Sequence, residues 1–249
     1  MKLTLLGTGS ADSQAERTST SLVVEHEGLL HLLDCGPTVP HRLVSAGYRP
    51  ENLDVVALSH THGDHLLGLP ILLHDMKTAR RAAPLHLLLP AGALPVVRSV
   101  VEFSFPGFWE KAPFEVKFKE LGGERAAPRV PGSPRAALTI HGVPCYGLRL
   151  GPLCYSADTA PCERVAALAR GCAVLVHEAS SDSSREEAAN RYGHSSARQA
   201  GEAARAAGAE RLLLVHMGPG APPEALESEA RAAFGGKVEA GRELLRMEL

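Results

Sequence analysis

The sequence predicts an α/β fold whose functional residues collect at one edge of a sheet. Short apolar runs that are typical of buried strands alternate with segments that have helical features. Four of these runs end directly in an acidic residue or a histidine, at His60, at Asp158, at His177 with Glu178, and at His216. Open α/β folds build their sites where strands end on one side of a sheet. The sequence therefore predicts one site that is assembled from distant parts of the chain.

The first half of the chain is expected to contain five strands. They are predicted at residues 3–6, 21–24, 29–33, 53–58 and 85–89. Glu27 and Gly28 form the turn of a hairpin between the second and third strands. Residues 7–10 predict a tight turn and not a P-loop, because no Lys-Ser or Lys-Thr pair follows. Helices are expected at residues 40–46, from Asp64 to about residue 77, and at residues 94–103.

The second half continues the alternation. Strands are predicted at residues 137–140, 146–150, 153–155, 173–176 and 211–215, and helices at residues 165–169 and 197–207. The helix at 197–207 is alanine-rich, and a serine precedes it as a cap. Asp158 follows a strand in an apolar context, where an unpaired carboxylate would be costly. A metal ion would offset that cost.

The strongest chemical signal is the run HTHGDH, which begins at His60. A strand places His60 and His62 on the same side, and Gly63 then allows a sharp turn. Asp64 and His65 enter the following helix, so one loop could supply ligands to two metal ions. Imidazole and carboxylate together suit zinc, and manganese or iron less selectively. The alternative is a polar surface loop that contains these residues by chance.

Other features admit two interpretations. Asp34 either orients a ligand histidine or accepts backbone hydrogen bonds in a turn. The aromatic residues at 105–109 form either a lip over a pocket or a contact surface, or else they belong to the core or a dimer interface. Residues 122–134, rich in Gly, Pro and Arg, predict a loop or hairpin tip.

Length and composition describe an ordinary globular protein. The chain has 249 residues, 45% hydrophobic and 22% charged, with a net charge of -2. Nothing in this balance argues globally for nucleic-acid binding, and no apolar run approaches the roughly twenty residues that span a bilayer. The five cysteines show no close CxxC pairing, and no signal peptide follows Met1. We therefore expect free thiols and a cytoplasmic location.

The order of these motifs resembles the metallo-β-lactamase superfamily, and within it the ribonuclease Z and small phosphodiesterase branch. The pattern HxHxDH is followed by a distant histidine, a strand-end aspartate and a last histidine. The matching segments, which cover most of the chain, lie at residues 6–10, 33–36, 59–70, 141–149, 156–159, 177–179, 194–200 and 214–216.

The resemblance implies a four-layer αβ/βα sandwich that forms a single hydrolase domain over residues 1–249. It also implies two divalent ions, most simply zinc. The first ion would be bound by His60, His62 and His141. The second would be bound by Asp64, His65 and His216, and Asp158 would bridge the two.

The family also suggests how such a site works. A hydroxide shared by the two ions would be the nucleophile, and Asp64 would orient it. Glu178 and His194 would form a pair that protonates the leaving oxygen, although His194 taken alone could be a helix-start residue with local hydrogen bonds. His177 is expected to be structural.

Two departures from the family pattern narrow the expected substrate. Family ribonucleases that cleave precursor tRNA commonly carry a long arm between the positions matching His141 and Asp158, where this chain has only sixteen residues. Residues 36–39 read Gly-Pro-Thr-Val, where ribonuclease Z proteins tend to have a turn like Gly-Glu-Gly-Thr-Gln. We therefore expect a phosphodiesterase that acts on small or cyclic phosphodiesters or nucleotides.

Several alternatives stay open. A tRNA 3′-end endonuclease could bind RNA without the arm, through a basic strip of Lys77, Arg80 and Arg81. The same metal frame could hydrolyse lactones, sulfate esters or thioesters, although the Glu178 and His194 pair favours phosphodiesters. A non-catalytic binding protein would predict at least one lost ligand. The family also suggests a homodimer, for which residues 103–109 could form the interface.

Overall fold

The computed structural model describes residues 1–122, 132–220 and 222–249. Two β-sheets lie face to face, and helices cover their outer sides. The strands of the first half are β1 (Lys2–Gly7), β2 (Ser21–His26), β3 (Leu29–Leu33), β4 (Val55–Ala57), β5 (Leu85–Leu89) and β6 (Val116–Glu120). Those of the second half are β7 (Arg135–Leu138), β8 (Tyr146–Leu150), β9 (Leu153–Tyr155), β10 (Val174–Glu178), β11 (Arg211–Val215), β12 (Lys237–Ala240) and β13 (Arg246–Glu248).

The helices connect and cover these strands. In chain order they are α1 (Val39–Ser45), α2 (Gly63–Leu66), α3 (Leu69–Thr78), α4 (Leu94–Ser104), α5 (Phe108–Lys111), α6 (Glu163–Ala169), α7 (Glu186–Arg191), α8 (Ala197–Ala207) and α9 (Pro223–Phe234). Ser196 caps α8 through a reciprocal pair of hydrogen bonds with Gln199, as a serine cap at this position predicts.

Each sheet combines antiparallel and parallel strands. The first has the order β13-β1-β2-β3-β4-β5-β6, and its strands are parallel from β3 to β6. The second has the order β12-β11-β10-β9-β8-β7, and its strands are parallel from β9 to β12. Strand β10, which ends in Glu178, is parallel to both of its neighbours. In both sheets the parallel strands carry their C-terminal residues toward the same edge.

Three hydrophobic layers hold the molecule together. One lies between the first sheet and helices α1, α3 and α4. A second lies between the two sheets, where Leu5, Val55, Tyr155 and Val176 are buried. The third lies between the second sheet and helices α6, α8 and α9. This arrangement is the four-layer sandwich that the sequence resemblance predicted.

The helix expected from Asp64 to about residue 77 is divided in two. Gly68 separates α2 from α3, and a Cβ atom there would lie 2.0 Å from the carbonyl oxygen of Gly36. The break therefore lets the backbone after the HTHGDH loop contact the segment that follows β3. That contact positions the loop.

The aromatic segment lies mostly in the core. Phe108 is fully buried, and Trp109 packs beside it at the edge of the outer layer. Phe103, by contrast, is 90% exposed. The prediction of a lip over a pocket is therefore wrong for Phe108, because its ring is buried in the hydrophobic layer that covers the first sheet.

The proposed basic strip does not exist as one surface. Arg81 is buried, and its guanidinium donates to the carbonyl oxygens of Glu51, Ala83 and Pro84. The ammonium group of Lys77 lies over the ring of Phe108. Only Arg80 of the three is fully at the surface, so the prediction of one exposed strip formed by all three is wrong.

Three further expectations concern the whole chain. All five cysteines are free thiols, as expected. Among the described residues there is no helix with the length and apolar character that a bilayer crossing needs. The loop expected at 122–134 lies largely outside the described residues, since these omit 123–131.

Candidate metal centre

The side chains predicted to bind metal converge at the C-terminal ends of strands from both sheets. His60 and His62 follow β4, His141 follows β7, and Asp158 follows β9. Glu178 ends β10, and His216 directly follows β11. The sandwich therefore gathers residues that lie up to 156 positions apart along the chain.

The first cluster contains His60, His62, His141 and Asp158. One potential ligand atom from each lies within 4.8 Å of those of the others. Nε2 of His141 is 3.1 Å from Nδ1 of His62. His62 is the exposed member of the cluster, whereas His60 and Asp158 are buried.

The second cluster contains Asp64, His65 and His216, again with one ligand atom each within 4.8 Å. Oδ2 of Asp64 lies 3.1 Å from Nε2 of His65 and 3.3 Å from Nε2 of His216. The carboxylate therefore faces both imidazoles. Burial by itself would raise the pKa of Asp64, but these two imidazoles outweigh it and hold the pKa well below its usual value.

Asp158 lies between the clusters. Its Oδ2 is 3.3 Å from Nε2 of His216 and 3.5 Å from Nε2 of both His60 and His65. The same oxygen is 4.0 Å from Nε2 of His141. A single carboxylate oxygen that faces histidines of both clusters has the position of a bridging ligand.

The hydrogen bonds of three histidines leave the right nitrogen free for a metal. Nδ1 of His65 donates to Asp34, and Nδ1 of His141 donates to the carbonyl oxygen of Gly193. The Ser59 hydroxyl donates to Asp34 and accepts from Nδ1 of His60. Each Nε2 is then a lone-pair donor that faces the clusters.

Buried polar atoms without partners support the same conclusion. Nε2 of His60, Nε2 of His65 and Oδ1 of Asp158 are buried and make no hydrogen bond within the described residues. Such groups are costly unless something pairs with them. The donor set therefore fits divalent metal ions.

Asp34 supports the centre from outside. Its buried carboxylate accepts from the Ser59 amide at 2.6 Å, the Ser59 hydroxyl at 2.8 Å, Nδ1 of His65 at 2.8 Å and the Tyr155 hydroxyl at 2.9 Å. The interpretation that Asp34 orients a ligand-type histidine therefore holds, and the turn alternative is also partly met by the bond from Ser59. Ser59 and Tyr155 were missed by the sequence reasoning, although Ser59 directly precedes His60.

Glu178 and His194 form a pair beside the clusters. Nδ1 of His194 donates to Oε1 of Glu178 at 3.0 Å, and the same oxygen accepts from the amide of Thr159 at 2.6 Å. The rings of His194 and His216 are stacked, with centroids 5.2 Å apart. Burial lowers the pKa of His194, but the hydrogen bond and charge of Glu178 outweigh it and raise the pKa to about 9. An imidazolium is thus stabilised beside the clusters.

His194 has a second geometric option, since one of its nitrogens also lies within 4.8 Å of atoms of Asp158 and His216. The bond from Nδ1 to Glu178 leaves only Nε2 for that contact. His177 takes no part. Its buried ring contacts the carbonyl oxygen of Glu178 at 2.7 Å, and alternation along β10 points it to the opposite face from Glu178.

Known proteins resemble this chain over most of its length. A family model described as Beta-lactamase superfamily domain matches residues 31–217. A ribonuclease Z from Salinibacter ruber is 33% identical over 300 aligned positions, which cover 98% of this chain and 93% of the relative. Because 300 positions exceed the 249 residues here, that relative has residues without a counterpart in this chain.

Solved structures share the fold. The metallo-beta-lactamase fold protein YhfI from Bacillus subtilis superposes with a TM-score of 0.82 at 23% identity, covering 100% of this chain and 99% of that one. A diphosphatase from the PhnP family superposes with a TM-score of 0.77 at 20% identity, covering 100% of this chain and 97% of that one.

Proposed function

Since the chain belongs to the beta-lactamase superfamily, in its ribonuclease Z-like branch, and is a metal-dependent hydrolase, we propose that it hydrolyses phosphodiester bonds in small or cyclic phosphodiesters or nucleotides. The observation that carries this proposal is the Glu178 and His194 pair beside the two clusters of ligand-type residues. Hydrolysis of an alkyl phosphodiester needs a proton on the leaving oxygen, and this pair is built to deliver one.

Two divalent ions would be held by the two clusters, with His60, His62 and His141 at one position, Asp64, His65 and His216 at the other, and Asp158 between them. Bound there, such ions would activate water and stabilise charge on the attacking and leaving oxygens. Zn²⁺ fits this set of imidazoles and carboxylates, and Mn²⁺ or Fe²⁺ are alternatives.

The chain's own groups would then manage the protons. Glu178 fixes the Nδ1–H tautomer of His194, so that a second proton resides on Nε2 when the ring is charged. Nε2 can pass that proton to the leaving oxygen, and the anionic Glu178 stabilises the ring before transfer. Asp64 holds the second cluster together and would orient the attacking water.

The short segment between His141 and Asp158, which has no room for a long arm, favours a small substrate. The sixteen residues between His141 and Asp158 are used by strands β8 and β9 and their short connections. Arg81, one of the three cations considered for RNA binding, is buried. These features support a substrate that reaches the metal centre without a long docking arm.

The second candidate is a ribonuclease Z-type tRNA 3′-end endonuclease. It is favoured by the 33% identity to a ribonuclease Z over 93% of that relative. In this case RNA would be the partner, and surfaces around the centre would replace the arm. The two candidates share the same chemistry and differ in what binds beyond the scissile bond.

One assay separates the candidates. The Zn²⁺- or Mn²⁺-supplemented protein is offered adenosine 2′,3′-cyclic phosphate and a 3′-extended precursor tRNA in parallel, with Asp64→Ala as the inactive control. We expect fast hydrolysis of the cyclic diester and intact tRNA. Cleavage of the tRNA after its discriminator base would establish the endonuclease instead, and activity on lactones or sulfate esters alone would overturn both.

Other properties of the chain are proposals of the same kind. We infer that residues 1–249 form one domain, since β1 pairs with both β2 and the C-terminal β13, and this predicts a single thermal unfolding transition. We also propose a cytoplasmic homodimer in which the exposed Phe103 is a candidate contact. Light scattering would test the dimer, and elemental analysis would test the zinc.

A further inference from the structure

A cavity of about 300 Å³ opens beside the metal centre. His194 and His216 form its inner wall. Residues 10–12, which follow β1, form one side, and the segment from Arg185 through α7 to Tyr192 forms the other. A substrate group that contacts His194 would therefore lie in or next to this cavity.

Arg185 presents an available cation to the cavity. It is exposed and makes no ion pair among the residues that the structure describes. The neighbouring Asp182 accepts from Ser184, and this hydrogen bond together with the charge of Arg185 lowers the pKa of Asp182. By contrast, Arg191 in the same segment pairs with Glu187. The guanidinium of Arg185 is therefore suited to bind an anion such as a phosphate.

Tyr192 presents an aromatic face to the same cavity. The residue is 77% exposed, and its hydroxyl makes no hydrogen bond within the described ranges. Nucleobases stack on exposed aromatic rings. Asp12 is the acidic residue in the lining, and its carboxylate can accept a hydrogen bond from a sugar hydroxyl.

We propose that this cavity is the subsite for a nucleoside on the leaving-group side of the scissile bond, with its base on Tyr192 and an additional phosphate at Arg185. This assignment rests on the proposed function, because it takes His194 as the proton donor to the leaving oxygen. With this subsite, the preferred small substrate would be a nucleotide and not a dialkyl phosphate that lacks a nucleoside.

Base recognition is tested by binding, without turnover. Calorimetry on the metal-loaded protein compares AMP with ribose 5-phosphate, which have the same sugar phosphate and differ in the base. We expect the wild type to bind AMP about tenfold more tightly, Tyr192→Phe to keep that ratio, and Tyr192→Ala to bring it close to one. An unchanged ratio in Tyr192→Ala would overturn the subsite.

Anion recognition has a matched control in the same segment. Adenosine 3′,5′-bisphosphate is compared with AMP, so that the ratio of affinities reports the extra phosphate. We expect Arg185→Gln to lower this ratio about fivefold or more, and Arg191→Gln, which removes the same charge from outside the cavity, to leave it within twofold. Equal effects of both variants would show general electrostatics and refute a specific role of Arg185.

The binding assays keep the subsite separate from the proposed function. Loss of AMP preference in Tyr192→Ala, in a protein that hydrolyses no phosphodiester, would support the subsite while the proposed function fails. Hydrolysis of adenosine 2′,3′-cyclic phosphate and of glycerol 1,2-cyclic phosphate at equal rates by wild type and Tyr192→Ala would do the reverse.

Discussion

Replacing Asp34 with Asn should weaken metal binding although Asp34 contributes no ligand to either cluster. Its carboxylate accepts four hydrogen bonds, one from His65 and one from the Ser59 hydroxyl, which in turn accepts from His60. Asp34 thus fixes the Nδ1–H tautomer of one histidine in each cluster. Asparagine is the sharpest substitution, since Asp34 has a φ of +63° and asparagine tolerates that left-handed backbone.

The magnitude follows from what an amide cannot do. Asparagine has one acceptor oxygen, and its NH₂ group would face donors that now find a carboxylate. Losing one hydrogen bond to a charged group costs about 1.5–3 kcal/mol, which corresponds to roughly 10–100-fold in affinity. We therefore expect metal affinity, measured by competition with a chelating dye, to fall about 10–100-fold.

The control variant removes a hydrogen-bond donor to Asp34 that is not itself bonded to a candidate metal ligand. Tyr155→Phe deletes the bond from the Tyr155 hydroxyl to Oδ2 of Asp34 and leaves the bonds to His65 and Ser59 in place. Its metal affinity should stay within about threefold of the wild type. Its stability should fall somewhat, because the hydrogen bond that is lost is buried. If Asp34→Asn bound metal as tightly as the wild type, the orienting role would be refuted.

Three further outcomes are expected. His194→Ala should lower kcat about 100-fold or more on a diester with an alkoxide leaving group but less than tenfold on bis(p-nitrophenyl) phosphate, because p-nitrophenolate leaves without a proton; equal losses on both would exclude proton donation. Gly36→Ala should lower the thermal midpoint by several degrees and reduce metal content, because its Cβ would lie 2.0 Å from the carbonyl oxygen of Asp64, whereas Gly142→Ala, with no atom within 4 Å, should do neither. In native protein at pH 8 a thiol reagent should modify Cys162 alone, because burial raises the pKa of the thiols of Cys35, Cys145, Cys154 and Cys172; rapid release of more than one equivalent would contradict this.

Most of the candidate metal ligands could be located from sequence because they carry a local signal. The HTHGDH run follows an apolar strand, Asp158 comes three positions after β9, and His216 directly follows β11. The C-terminal ends of parallel strands lie at one edge of a sheet, so residues that follow such strands are expected to lie close together. His141 likewise comes three positions after the end of its strand, but a lone histidine there is usually structural, and its place came from the family resemblance.

The rest of the chain was not predictable in the same way. Strand β13 pairs with β1, with Leu3 opposite Met247. Its three residues are too few to show an alternating pattern that would predict a strand. Helix α9 packs on the outer side of the second sheet, and strand β12 forms an edge of that sheet beside β11; neither was predicted from sequence. The short alternating strand β6 did carry a signal, with Val116 and Phe118 on one face, and was missed.

The segment that follows β3 belongs to the metal centre as much as the HTHGDH loop does. Asp34 holds the side chain of His65, while the amide of Cys35 donates to the carbonyl oxygen of His65 at 2.8 Å. The amide of Gly68 donates to the carbonyl oxygen of Cys35 at 2.9 Å. Both the imidazole and the backbone of His65 are thereby fixed to two consecutive residues, Asp34 and Cys35.

This double attachment explains why Gly36 must be a glycine. The backbone of the HTHGDH loop approaches so closely that a Cβ atom at Gly36 would clash with Asp64, and one at Gly68 would clash with Gly36. A displaced loop would move the ligand-type residues of both clusters at once, because His60 and His65 lie in it. Residues 37–39, where the chain departs from the family pattern, lie beyond this contact.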